Sequence, residues 1–139
     1  MEDIVIRRTE EDEITGEFVG REFASYSTSK EVVLNYDEFC FTASDETGKL
    51  IGVITGRAYY NEIHIGDLIV ATDVRRGGVG SKLVRAVEDE YKGKGYTKIT
   101  LTTFGFQAPE FYKKQGFKLE FVREDPDPKL SKYFFKKDI

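Results

Sequence analysis

The chain has 139 residues, 40% hydrophobic and 33% charged, the balance of a single globular domain spanning residues 1–139. Its formal net charge of −4 excludes a general nucleic-acid binder, which carries a basic face. One cysteine (Cys40) and one histidine (His64) rule out an intrachain disulfide and a Cys/His zinc site, so no metal is expected. Cys40, set between Phe39 and Phe41, reads as a small buried hydrophobe. No apolar run is long enough to span a bilayer, and Met1-Glu2-Asp3 lacks the basic-then-apolar pattern of a secretory leader, so the expectation is a cytoplasmic protein with no membrane partner.

In chain order, Ile4-Val5-Ile6-Arg7-Arg8 reads as a short first strand. From about Glu11 to Ser25, Ile14, Phe18, Val19 and Phe23 recur at helical spacing, and the acidic residues Glu10 to Glu13 suit a helix start. Ser25 to Lys30 reads as a Ser/Thr turn, and Lys30 to Leu34 as a short second helix. Glu38 to Ala43 and Leu50 to Tyr59 read as a hairpin across the polar turn Asp45-Glu46-Thr47-Gly48-Lys49. Asn61-Glu62 is a tight connection into a third strand, Ile63 to Ala71. The period then changes: Val79, Leu83, Val84, Val87 and Tyr91 share one face of a helix that Gly93 and Gly95 terminate. Lys98 to Thr102 is a strand. Pro109 opens a helix near Ala108 to Lys114, closed by Gly116. Phe117 to Val122 is a strand, Pro126 and Pro128 mark a loop, and Leu130 to Lys136 is the last strand. The order predicts an α/β (α+β) fold with a mixed, mostly antiparallel sheet of about six to seven strands and flanking helices.

The chemistry concentrates at Val74-Arg75-Arg76-Gly77-Gly78-Val79-Gly80-Ser81, a glycine-rich turn between a strand and a helix. Such a turn gathers free backbone N–H groups at a positive helix end, where phosphate oxygens bind. Gly77, Gly78 and Gly80 allow close approach of a ligand, Arg75 and Arg76 add positive charge, and Ser81 can add a hydroxyl. The turn is not a P-loop: Ser81 precedes Lys82, and position 75 holds no glycine. It is not a dinucleotide fingerprint either, because position 83 is leucine and the preceding strands read as antiparallel. A plain helix cap explains one glycine, not three beside two arginines.

Arg75-x-x-Gly78-x-Gly80 resembles the [QR]-x-x-G-x-[GA] signature of the GNAT superfamily of N-acetyltransferases. Asp67-Leu68-Ile69-Val70 stands where that family has a core strand. Phe106-Gln107-Ala108-Pro109-Glu110-Phe111-Tyr112-Lys113-Lys114-Gln115-Gly116-Phe117 is similar to its second signature, a helix with a Phe-Tyr pair ending in Gly-Phe. The resemblance covers roughly residues 38 to 137.

The resemblance implies acetyl-CoA as cosubstrate, with its pyrophosphate on the backbone N–H groups of Arg76, Gly77, Gly78, Val79, Gly80 and Ser81. The backbone of Leu68, Ile69 and Val70 would pair with the pantetheine arm, the strands near Ile69 and Thr102 would splay around the thioester, and the Val70 N–H would stabilise the oxyanion. Arg75, Gln107 and Phe111 join the cofactor-binding set; Gln107 either bonds the pantetheine or caps the helix. Tyr112 takes the place of the acid that protonates the CoA sulfur, although it also reads as a core aromatic beside Phe111. For the base, His64 has a suitable pKa but also reads as a solvent-facing strand residue. Glu62 on the same face, Asp67 or a water chain are the alternatives.

The implied activity is transfer of acetyl from acetyl-CoA to a primary amine in a ternary complex. The acceptor is a small, cationic molecule or a protein amine, and a homodimer is compatible with the resemblance. Two other readings are a non-catalytic CoA-binding regulatory or interaction module and a nucleotide-binding domain.

Overall fold

Alternating apolar and polar side chains draw six segments of the chain into one sheet. The computed structural model describes residues 3–75 and 77–139. Its strands are β1 (Asp37–Ser44), β2 (Leu50–Tyr59), β3 (Glu62–Val70), β4 (Lys98–Phe104), β5 (Lys118–Arg123) and β6 (Lys132–Asp138). Its helices are α1 (Glu13–Ser29), α2 (Val79–Tyr91) and α3 (Pro109–Lys114). The sheet order is β1-β2-β3-β4-β6-β5, and β3–β4 is the parallel pair in an otherwise antiparallel array. The chain divides into two compact units, Met1–Leu34 and Asn35–Ile139.

In the first unit, α1 begins on a capping box. Thr15 N donates to Asp12 Oδ1 at 2.8 Å, and Asp12 N donates to Thr15 Oγ1 at 2.9 Å. The helix expected over 11–25 runs on to Ser29, through the stretch read as a turn. There the Ser29 hydroxyl donates to Tyr26 O at 2.6 Å, so it bonds within the helix rather than ending it. The second helix expected over 30–34 does not form. Glu31 has a φ of 60°, and Val32 N donates back to Ser27 O at 2.9 Å, a helix stop that usually carries glycine at the left-handed position. The first strand expected at Ile4–Arg8 is also absent. These residues join no ladder, and an apolar run becomes a strand only by pairing with one.

In the second unit, the hairpin turn is held by Asp45, whose carboxylate accepts from Thr47 N at 2.9 Å and Lys49 N at 3.0 Å. Cys40 departs from expectation. It sits on the exposed face of β1, and its neighbour Phe39 is the buried member, because the alternation of β1 points only one of the two inward. The helix α2 behaves as its spacing dictates: Leu83, Val84, Val87 and Tyr91 are buried. They close the core over Ile54, Ile63, Ile99 and Phe135. Each such side chain contributes about 1.5–3 kcal/mol on burial. Tyr91 OH also donates to Asp37 Oδ2 at 2.8 Å, which ties the end of α2 to the edge strand β1.

Candidate active site

One irregularity in β3 creates the site. Gly56 pairs with Ile65, but the next residue back, Thr55, pairs with Asp67, so Gly66 is an extra residue on β3. A bulge of this kind bends its strand. The parallel ladder to β4 consists of Glu62–Lys98, Ile63–Ile99 and His64–Thr100, and it ends there. Beyond that last rung β3 and β4 part. Ala71 N donates to Ile51 O at 2.8 Å, which sets the phase of the antiparallel β2–β3 ladder. Alternate pairs exchange hydrogen bonds, so Ile69 bonds to Val53 while the backbone groups of Leu68 and Val70 turn away from β2 toward the opening. Of the three residues expected to offer backbone to a ligand, Leu68 and Val70 have backbone groups turned to the opening and Ile69 faces β2. The Val70 carbonyl is taken by Arg75, whose Nε donates to it at 3.2 Å. Arg75 therefore braces the loop against the strand end.

The glycine turn closes one end of the opening. Gly78 is the N-cap of α2 with φ 83°, a left-handed conformation that side chains resist. It supplies no side-chain cap, and the first turn of α2 holds no acidic residue. The first helical bond runs from Lys82 N to Gly78 O, so the N–H groups of Val79, Gly80 and Ser81 lie ahead of it. An uncapped, uncompensated positive helix end suits phosphate oxygens. Gly77 N is engaged with Val74 O at 3.3 Å, and Arg76 lies outside the described residues. Gly80 has a second reason to be glycine: a Cβ there would stand 3.1 Å from Phe111 Cζ. The ring of Phe111 thus locks the two signatures together. Ser81 does likewise, its hydroxyl accepting from Gln115 Nε2 at 2.7 Å. Gln107 caps no helix. Its Oε1 accepts from Phe104 N at 2.9 Å and closes the turn out of β4.

On the face of the sheet opposite α2 lies a cleft of about 520 Å³, lined by Tyr59, Glu62, His64, Thr100, Phe134 and the charged residues Lys98, Glu120 and Lys136. Glu62 and His64 meet here as expected, joined by Thr100, which sequence reasoning did not single out. Thr100 Oγ1 donates to Glu62 Oε2 at 2.6 Å and lies 2.9 Å from His64 Nδ1. Tyr59 OH also donates to Glu62 Oε2 at 3.3 Å. Burial lowers the His64 pKa below its ordinary value, Arg57 and Lys132 lower it further, and Glu62 opposes them. The ring is therefore neutral at pH 7 and able to accept a proton. Asp67 does not line this cleft; Thr55 Oγ1 accepts from its N–H at 3.2 Å and donates to its carboxylate at 3.4 Å.

Tyr112 sits on the other face, 7% exposed, packed edge-on against Phe111 and Phe117 and tilted against Phe135. Phe135 pairs across the sheet with Leu101, on the side that α2 covers. Tyr112 is therefore both a core aromatic and a candidate acid. Burial pushes its pKa up to about 12, so the hydroxyl keeps its proton at neutral pH. Among the described residues no group of three or more His, Cys, Asp or Glu side chains is placed to hold a metal ion. No described helix is long and apolar enough to cross a membrane.

Comparison with known proteins places this geometry. Residues 6–117 match the family model described as Acetyltransferase (GNAT) family. A crystal structure of an acetyltransferase from Bacillus cereus is 36% identical, with a TM-score of 0.78 over 96% of this chain and 98% of that one. Blasticidin-S acetyltransferase of Streptomyces morookaense is 29% identical over 98 residues, 70% of this chain and 72% of that protein. The fold is shared with an aminoglycoside 6'-N-acetyltransferase complexed with coenzyme A, at 19% identity and a TM-score of 0.64 over 88% of this chain and 85% of that one. The chain belongs to the GNAT family of acetyltransferases, enzymes that use acetyl-CoA for N-acetyl transfer.

Proposed function

We propose that this protein transfers the acetyl group of acetyl-CoA directly to the primary amine of a small-molecule acceptor, both substrates being bound together. The observation that carries this reading is the end of the β3–β4 ladder at His64–Thr100, beside the uncapped N-terminus of α2. Leu68 would pair with the pantetheine arm through the N–H and C=O that β2 leaves free, Val70 would offer its N–H alone because Arg75 holds its carbonyl, and the amides of Val79, Gly80 and Ser81 would take the pyrophosphate. The donor supplies an activated thioester carbonyl. The Val70 N–H would receive the charge that gathers on its oxygen.

The two proton movements fall to opposite faces of the sheet. His64 accepts the proton that an attacking amine must lose, and Tyr112 delivers one to the departing sulfur. A cleft of about 520 Å³ accommodates a small molecule. Its carboxylates, Glu62 and Glu120, and the rings of Tyr59 and Phe134 suit a cationic amine. Lys98 and Lys136 balance that charge, so the acceptor carries anionic or acceptor groups beside its amine. The name of the Streptomyces relative, a blasticidin-S acetyltransferase, supports a small-molecule acceptor. The test is a panel of aminoglycosides, polyamines, amino acids and peptide N-termini, read by CoA release and the mass of the product. Acetylation of small amines is expected. Tight CoA binding with no amine acetylated would overturn the proposal in favour of a binding module, and acetylation of peptide N-termini alone would overturn the acceptor class.

A further inference from the structure

We infer that Thr100 is a positioning residue that fixes the tautomer of His64, and that Glu62 acts through Thr100 as an anchor rather than as the base. The inference rests on the reading of His64 as proton acceptor. It follows from counting protons at one oxygen. A threonine hydroxyl has a single hydrogen and two lone pairs. Thr100 Oγ1 stands 2.6 Å from Glu62 Oε2, the length of an O–H···O bond to a carboxylate, so the hydrogen goes there. His64 Nδ1, 2.9 Å from the same oxygen, can then meet only a lone pair. Nδ1 must carry the ring proton and donate it to Thr100. Nε2 is left as the ring's basic nitrogen.

The three residues are brought together by the sheet. His64 and Thr100 are partners on the last rung of the parallel ladder, and Glu62 is two residues back on the same face of β3. The chain of bonds therefore stands at the apex of the opening between β3 and β4. When Nε2 accepts the amine's proton, the ring's new positive charge is felt by Glu62 through Thr100, with no proton passing to the carboxylate. Tyr59 OH, donating to Glu62 Oε2 at 3.3 Å, holds that carboxylate from β2.

The test uses the fact that His64 is the only histidine in the chain, so its imidazole signals need no residue assignment, and the two nitrogens are told apart by their couplings to the ring protons. Long-range proton–nitrogen NMR spectra of the ¹⁵N-labelled protein, at a pH where the ring is neutral, distinguish a protonated from a bare nitrogen. The expected result is a protonated Nδ1 and a bare Nε2, the reverse of the preference of free histidine in water. Thr100→Val, which keeps the shape and removes the hydroxyl, should move the proton to Nε2; Thr100→Ser should restore it. On an acceptor identified by the amine panel, Thr100→Val should lower kcat by about tenfold or more with KM for acetyl-CoA unchanged, as part of the ~10²–10⁴-fold that a positioned base supplies. Thr100→Ser should recover the rate. A bare Nδ1 in the wild type, or a tautomer unchanged by Thr100→Val, overturns the inference. Full activity in His64→Gln with the Nδ1–H tautomer confirmed in the wild type would instead remove the reading of His64 as base and leave the hydrogen-bond chain standing.

Discussion

Replacing Tyr112 with phenylalanine separates its two roles. The ring is 7% exposed and lies 5.1 Å from Phe111, 5.7 Å from Phe117 and 6.1 Å from Phe135, centroid to centroid. Phenylalanine keeps that packing and removes one hydroxyl, so folding stability should change by less than about 1 kcal/mol. Chemistry should suffer far more. Loss of a positioned acid costs roughly 10²–10⁴ in rate, about 3–5 kcal/mol of barrier. The assay is steady-state CoA release from an identified acceptor, with Tm measured on the same samples. The expected pattern is a large fall in kcat, a KM for acetyl-CoA within about twofold, as for an interaction made mainly in the transition state, and a nearly unchanged Tm. An unchanged kcat would refute the assignment and leave Tyr112 as a core ring alone.

Alkaline unfolding gives an independent reading of the same residue. Its folded pKa, about 12, is raised above the ordinary 10, so the folded state holds the proton longer than the unfolded chain does. That contribution is fully present below pH 10 and is lost as pH rises toward 12, so denaturant titrations should show the wild type losing up to about 2–3 kcal/mol more than Tyr112→Phe over that range. For His64, whose pKa is lowered by burial, Arg57 and Lys132, kcat/KM should rise with pH and level off before neutrality, with the limb on the acid side of 6.5. In His64→Gln that limb should vanish and the rate fall by roughly 10²-fold or more; a limb that persists assigns it to another group. Gly80→Ala forces a Cβ to within 3.1 Å of Phe111 Cζ, so the ring or the turn must move by a few tenths of an ångström. Overpacking of this kind costs about 1–3 kcal/mol, and KM for acetyl-CoA should rise with it; calorimetry and kinetics on the variant check both.

The parts of this fold that the sequence made legible are those where one residue type has one physical use. Three glycines beside two arginines marked the turn before α2, and the spacing of Leu83, Val84, Val87 and Tyr91 marked its buried face. The parts it hid depend on partners distant in the chain. Ile4–Arg8 has the composition of a strand and no ladder to join. Ser25 to Ser29 continues α1, the Ser29 hydroxyl bonding inside the helix, and Glu31 ends it at φ 60° without a glycine to signal the stop. The bulge that opens the site was within reach, since an isolated glycine inside a strand pattern, here Gly66, is its usual sign. Thr100 was not. Alternation places Lys98, Thr100 and Thr102 on one face of β4, but only the parallel register brings Thr100 opposite His64. Gln107, read as a pantetheine ligand or a helix cap, bonds the backbone of Phe104 instead of capping α3, and Arg75, read as part of the cofactor site, also holds the Val70 carbonyl through its Nε.

The most direct test of the site is backbone amide hydrogen exchange, followed residue by residue with and without acetyl-CoA. Leu68 and Val70, which β2 leaves free, and Val79, Gly80 and Ser81, which precede the first bond of α2, should exchange markedly more slowly in the complex. The Ile69 amide, already bonded to Val53, should change least of the three on β3. Protection confined to other segments, with these five amides unaffected, would contradict the placement of acetyl-CoA between β3 and β4.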